Sequence, residues 1–309
     1  MLPVKVLTES GREHVRVSSE LLAELTARIG GHGDRFLVVT WIPDLPDVFI
    51  QVWHEQGGGY TLEHRDGSPE RHFGTEVAEA DPDAVARALV GWARREDGWD
   101  AGLSWTPADL GGPEPVPELD PEVEQRIEEY VRGLLRQGYD GRARLAEAAE
   151  DWLVDGDTRP VSRPQAWRVV NRLWRERLDE QARWDGVTDP ERITAVFAAL
   201  DARGITAREN FACCRGCGLS EIGAERSGPD KEAERGFVFF HTQCTESVAA
   251  GHGLTLYYGG FDDSETTTAA IGREVTAALA EAGLTVEWDG SPGTSILVEG
   301  LDWRKRLTG

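Results

Sequence analysis

The chain has 309 residues, which is long for one core and suits two or three domains. A hydrophobic fraction of 40% with 11 tryptophans excludes global disorder. The formal net charge of −22 argues against nucleic acid as a direct ligand, because phosphate binding rests on clustered Lys and Arg.

The same charge suits a basic protein partner or metal cations, besides simply solubilising the surface. Met1-Leu-Pro-Val-Lys-Val lacks the apolar region of a signal peptide. No run approaches the roughly 18 to 20 apolar residues that span a bilayer. A cytoplasmic location without membrane contact is therefore expected, and there thiols stay reduced.

Residues 1–110 read as an N-terminal α+β domain. Val15–Val17 is strand-like, and Ser18-Ser19 caps an apolar helix through Leu21, Leu22 and Leu25 to Ile29. Phe36–Trp41, Val48–Trp53 and Tyr60–His64 follow as an antiparallel meander, separated by Pro-Asp and Gly-rich turns. His54, His64 and His72 are expected at its surface. Asp81-Pro82 opens a helix with Val85, Leu89 and Trp92 on one face.

Residues 111–119, Gly-Gly-Pro-Glu-Pro-Val-Pro-Glu-Leu, read as a semi-rigid linker. A helical region spans 120–204. Asp120-Pro121 starts one helix, with Ile127, Val131 and Leu134 in its stripe and Gly138 as its stop. Trp167, Val170, Trp174 and Leu178 mark a second, and Asp189-Pro190 opens a third. These stripes are read as core.

Residues 205–309 form a C-terminal mixed α+β domain. Phe237–Phe240 and Leu254–Tyr258 are strands, a helix around Ile271, Val275 and Leu279 ends at Gly283, and Leu284–Trp288 pairs with Ser295–Glu299. The fold class is α+β throughout.

The chemistry concentrates in Cys214-Arg-Gly-Cys217-Gly218 and His241-Thr-Gln-Cys244. Zinc takes about four Cys or His ligands in a tetrahedron. Two cysteines three apart reach one ion when the backbone bends sharply, and Gly216 and Gly218 are expected to supply left-handed backbone there. Cys214, Cys217, His241 and Cys244 are the candidate metal ligands, zinc is the candidate cofactor, and Cys213 is expected to point elsewhere. Ser227–Lys231 reads as a loop inserted between the pairs.

Small buried cysteines without metal fit the same pattern. A redox dithiol fits less well, because no helix is expected after Gly218. Asp262, Asp263 and Asp289 sit in turns where Asp is common. Residues 290–294 lack a phosphate-loop ending, and neither a Gly-x-Ser-x-Gly elbow nor an HExxH motif occurs. Arg304-Lys-Arg306 is read as a solvated basic tail.

The cysteine turn, the strand-containing excursion and the ligands at a helix start resemble the treble-clef zinc fingers over residues 211–250. A wider resemblance rests on Phe-Ala-Cys-Cys-Arg-Gly-Cys-Gly (211–218), Gly-Phe-Val-Phe-Phe-His (236–241), Thr245-Glu246, Leu256–Gly259, Val286–Gly290 and Asp302-Trp303. With these, residues 120–309 resemble an uncharacterised bacterial domain-of-unknown-function family. That resemblance implies no activity, and Asp often stands in its members where this chain has Cys244.

The meander, the Ala-rich helix and Trp99-Asp-Ala-Gly-Leu-Ser-Trp105 make the N-terminal unit similar to bacterial toxin-immunity proteins. That resemblance implies a basic protein partner, for which an acidic surface is suited. The expected function is a non-enzymatic binding protein with a structural zinc site and no catalytic residue. The alternative is a metal- or thiol-dependent enzyme centred on Cys217 and His241.

Overall fold

The computed structural model describes residues 1–77, 81–108, 115–226 and 234–307. Internal contacts divide the chain into two compact units. The first comprises Met1–Glu124 with Gly141–Arg175, and the second Gln125–Asp140 with Glu176–Leu307. The helices of 120–204 are thus shared between the units and form no third body.

The first unit begins with β1 (Val4–Thr8) and β2 (Glu13–Val15), then α1 (Ser19–Arg28), β3 (Phe36–Trp41), β4 (Val48–His54), β5 (Tyr60–Asp66) and β6 (His72–Val77). α2 (Pro82–Arg94) and the short β7 (Thr106–Pro107) complete it up to the linker. The strands form one antiparallel sheet in the order β2-β1-β3-β4-β5-β6-β7. β1 and β6 carry weak sequence signals and are defined by their pairing with β3 and β5.

The strand period of two puts Val4 and Val6, Leu37 and Val39, Ile50 and Val52, and Leu62 on the buried face. α1 and α2 cover that face with Leu22, Leu25, Val85, Leu89 and Trp92. Ser18 accepts from the Leu21 amide and Asp81 from the Ala84 amide, so both helix starts are capped as their sequences predict. His54 and His72 are buried rather than exposed, at 9% and 3%. His54 stacks on Tyr60 at 4.1 Å and His72 packs edge-on to Phe49.

Three further helices follow: α3 (Pro121–Gln137), α4 (Arg142–Asp151) and α5 (Arg163–Gln181). Residues 111–114 of the expected linker lie outside the described residues. Its remainder is tied down: Gln165 Nε2 donates to the carbonyls of Pro117 and Glu118, and Arg168 donates to that of Val116. Trp174, fully buried, donates from its indole to the Asp44 carbonyl at 2.6 Å.

The second unit adds α6 (Asp189–Asp201), β8 (Ile205–Arg208), α7 (Arg215–Glu221), β9 (Gly236–Phe239), α8 (Thr242–Ala249), β10 (Leu254–Gly260), α9 (Glu265–Glu281), β11 (Thr285–Glu287) and β12 (Ile296–Glu299). Thr188 and Glu191 form a full capping box on α6. The sheet order is β11-β12-β10-β9-β8, antiparallel except for the parallel pair β8–β9. A parallel pair needs a crossover, and α7 lies within it.

Arg304-Lys-Arg306 is not a free tail. Lys305 pairs with Glu209 at 2.9 Å and lies over the Tyr139 ring, while Arg306 pairs with Glu191 at 2.6 Å. No helix among the described residues is long and apolar enough to cross a membrane.

Candidate metal centre

Because β8 and β9 are parallel, both chain exits lie at the same carboxyl edge of the sheet. Each leads into a helix start: Cys214 is the N-cap of α7 and His241 the N-cap of α8. In open sheets with parallel strands that edge is where ligands usually bind. Backbone hydrogen bonds stitch the two exits together. The Phe211 amide donates to Phe240, and the Thr242 amide and hydroxyl both donate to Ala212.

The sharp bend before the cysteines is made by Asn210 and Ala212, whose φ values are +49° and +60°. Gly216 and Gly218 are not in the left-handed region, contrary to the expectation from sequence. They belong to α7, which runs on to Glu221, so the motif opens a helix, contrary to the expectation of none after Gly218, and is not a free knuckle. Gly218 is needed for another reason. A Cβ on it would collide with the Cε2 and Cζ edge of the Phe239 ring, whereas one on Gly216 meets nothing within 4 Å.

The Sγ atoms of Cys213, Cys214 and Cys217 all lie within 4.8 Å of one another. Cys213 and Cys217 approach to 3.5 Å. Cys213 therefore belongs to the cluster and does not point away. Cys213 precedes the N-cap of α7, and it is the bend at Asn210 and Ala212, not a helix face, that precedes it in the chain and accompanies its approach to Cys217.

His241 and Cys244 do not join this group. Both are buried, and the Cys244 Sγ stands 3.4 Å from His241 Nε2. Tyr257 stacks on His241 at 5.3 Å and carries the Arg215 guanidinium on its ring at 5.2 Å. The predicted quartet is thus divided between the cluster and a neighbouring Cys–His pair. The loop expected at 227–231 lies outside the described residues.

The thiols are electrostatically unequal. The Cys217 amide donates to Cys214, and further hydrogen bonds from the Cys217 and Cys213 thiols and the Gly216 amide add to it. Together they hold the Cys214 thiol below its ordinary range. The hydrogen bonds with Cys213 and Cys214 and their negative charge push Cys217 up to about 11. Burial raises the Cys244 thiol and lowers the His241 imidazole, which keeps that pair neutral. Such a turn can hold a metal ion on three sulfurs.

A cavity of about 270 Å³ adjoins α7, lined by Arg215, Leu219, Tyr257, Tyr258 and residues 292–295, but by none of the cysteines. Asp262 and Asp289 serve turns: Asp262 accepts from the Ser264 amide and Thr267 hydroxyl, and Asp289 from the Ser291 amide and Thr294 hydroxyl.

The family whose pattern matches residues 120–307 is described as a domain of unknown function, DUF6891. The chain belongs to that family. The matched region contains the cysteine cluster, the His241–Cys244 pair and the whole five-stranded sheet. No curated protein and no solved structure matches the chain.

Proposed function

We propose that the chain is a non-enzymatic binding protein whose DUF6891 domain is pinned by a zinc ion on Cys213, Cys214 and Cys217. The observation that carries this reading is the mutual approach of the three sulfurs. Thiolates at about 2.3 Å from one tetrahedral zinc stand about 3.8 Å apart. The Cys213–Cys217 separation of 3.5 Å is close to that value, and far from the about 2.0 Å of a disulfide. A donor set of sulfur alone favours zinc or another thiophilic ion over magnesium or calcium.

The position of the turn supports a structural role. An ion there would tie the start of α7 to the bend at residues 210–213, which is itself hydrogen-bonded to the start of α8. Three ligands leave a fourth position open, the arrangement that catalytic zinc also uses. A catalytic reading needs a cavity at the metal, and the adjoining cavity is lined by other residues. The acidic surface supports a basic protein partner for the chain as a whole.

Elemental analysis of protein purified from zinc-replete cells tests the metal. About one equivalent is expected, falling below about a tenth in Cys217→Ala with loss of stability, because structural zinc contributes folding energy directly. Wild-type protein without zinc overturns the reading. Capture of native-host proteins on the immobilised chain tests the partner, and recovery of none with a basic surface counts against it.

A further inference from the structure

The first unit holds a cavity of about 560 Å³, a volume in the range of small-ligand sites. It lies outside the residues matched to the family and is independent of the metal reading. We propose that this cavity binds a guanidinium-bearing cation, either a small free guanidine or the arginine side chain of a partner.

The walls are rings. Trp41 and Trp92 stack at 4.6 Å and 13°. His64 lies edge-on to Trp99 at 5.2 Å and to Trp105 at 4.6 Å, with Phe73 stacked on it at 5.1 Å. Burial lowers the imidazole of His64, so at neutral pH it adds a neutral ring and no positive charge. Indole faces attract cations, and a flat guanidinium stacks on them best. The protein already does this once: Arg95 lies over Trp41 at 4.1 Å.

The charges in the wall leave an acidic excess. Arg65 is committed to Asp47 and His72, each at 3.2 Å, and Arg71 to Asp66, whereas Arg95 lies over Trp41 and keeps its charge, because a ring does not neutralise a guanidinium. Glu96 is paired with Arg94 at 3.3 Å. Asp97 and Asp100 also line the cavity, and among the described residues no cation pairs with either. The Asp100 charge acts on His64, which places it beside the ring cluster. Against the Arg95 guanidinium, Asp97 and Asp100 leave the aromatic wall one negative charge in excess, which suits a cation over an anion.

Tryptophan fluorescence of the full chain, titrated with butylguanidine, tests the proposal. Saturable quenching is expected, with N-butylurea, its neutral isostere, at least about tenfold weaker. Asp100→Asn is expected to weaken butylguanidine about fivefold with an unchanged circular dichroism spectrum. If that variant misfolds, the exposed Asp97→Asn supplies the same comparison. A capped Gly-Arg-Gly peptide separates the sources: tighter binding than butylguanidine indicates a partner's arginine, and equal or weaker binding a free guanidine. The proposal is overturned by equal responses to guanidine and urea, by acid-to-amide variants that bind like wild type, or by no saturation up to about 10 mM.

Discussion

Two glycines of α7, two residues apart, should respond oppositely to the same substitution. Alanine at either one gains helix propensity, worth up to about 0.5–1 kcal/mol. At Gly216 the added methyl meets open space, so stabilisation by about that amount is expected. At Gly218 it collides with the edge of the Phe239 ring. That ring is fully buried and hemmed in by Phe211 at 5.9 Å, Tyr257 at 5.7 Å and Phe237 at 6.1 Å. It has nowhere to swing, and overpacking of this kind costs about 1–3 kcal/mol. The propensity gain is common to both variants and cancels between them, so Gly218→Ala should be about 1–3 kcal/mol less stable than Gly216→Ala. Urea unfolding followed by circular dichroism measures that difference. Equal midpoints would refute the seating of α7 on β9 through Phe239. The same displacement should lower the metal content of Gly218→Ala, since it moves Cys214 and Cys217 with their helix.

Three further outcomes are expected. Cys213→Ser should lose bound metal while Cys244→Ser keeps it, read by elemental analysis; the reverse pattern would restore the CxxC and HxxC pairs as the ligand set. Trp174→Phe removes the indole donor to the Asp44 carbonyl and should cost about 1–3 kcal/mol in thermal or urea unfolding. His64 is lowered by burial, so the unfolded chain takes up its proton first as pH falls. Its contribution to stability is present above the ordinary value of 6.5 and is lost as pH drops through the lowered one. Unfolding midpoints of His64→Phe should therefore depend less on pH just below 6.5 than those of wild type.

The elements with strong local signals were legible in the sequence. Asp-Pro starts, Ser caps and apolar stripes gave α1, α2, α3, α5 and α6, and runs rich in apolar and β-favouring residues gave β3, β4, β9 and β10. β1 and β6 were not, because Val4–Thr8 and His72–Val77 are recognisable only once their neighbours pair with them. At the site, the CxxC spacing located the chemistry, but composition could not say whether the glycines bend the chain or pack against it. The bend falls on Asn210 and Ala212 and the packing on Gly218, a division that depends on where Phe239 sits. The ring-lined cavity escaped for the same reason. Its tryptophans come from β3, α2 and the 96–105 segment, and nothing local links Trp41 to Trp105.

The position of the cysteines at a helix start bears on the charge problem of a sulfur-only site. Three thiolates around a divalent ion leave one net negative charge, in a chain that already carries −22. The fold offsets this locally. The amides of Gly216 and Cys217 point at the Cys214 sulfur, and the positive end of a helix dipole contributes about 0.3–1 kcal/mol to an anion placed there. Arg215 adds a cation within the same turn, held over Tyr257. A free knuckle with the same three cysteines would lack the helix amides. The parallel β8–β9 pairing therefore does more than bring two exits together: it requires a crossover, and the helix in that crossover presents its amino end to the sulfurs. Arg215→Glu tests this balance, since it reverses the local charge and leaves every sulfur in place. Metal affinity should fall about fivefold or more in a chelator competition, most clearly at low salt, and an unchanged affinity would mean that the helix amides alone carry the offset.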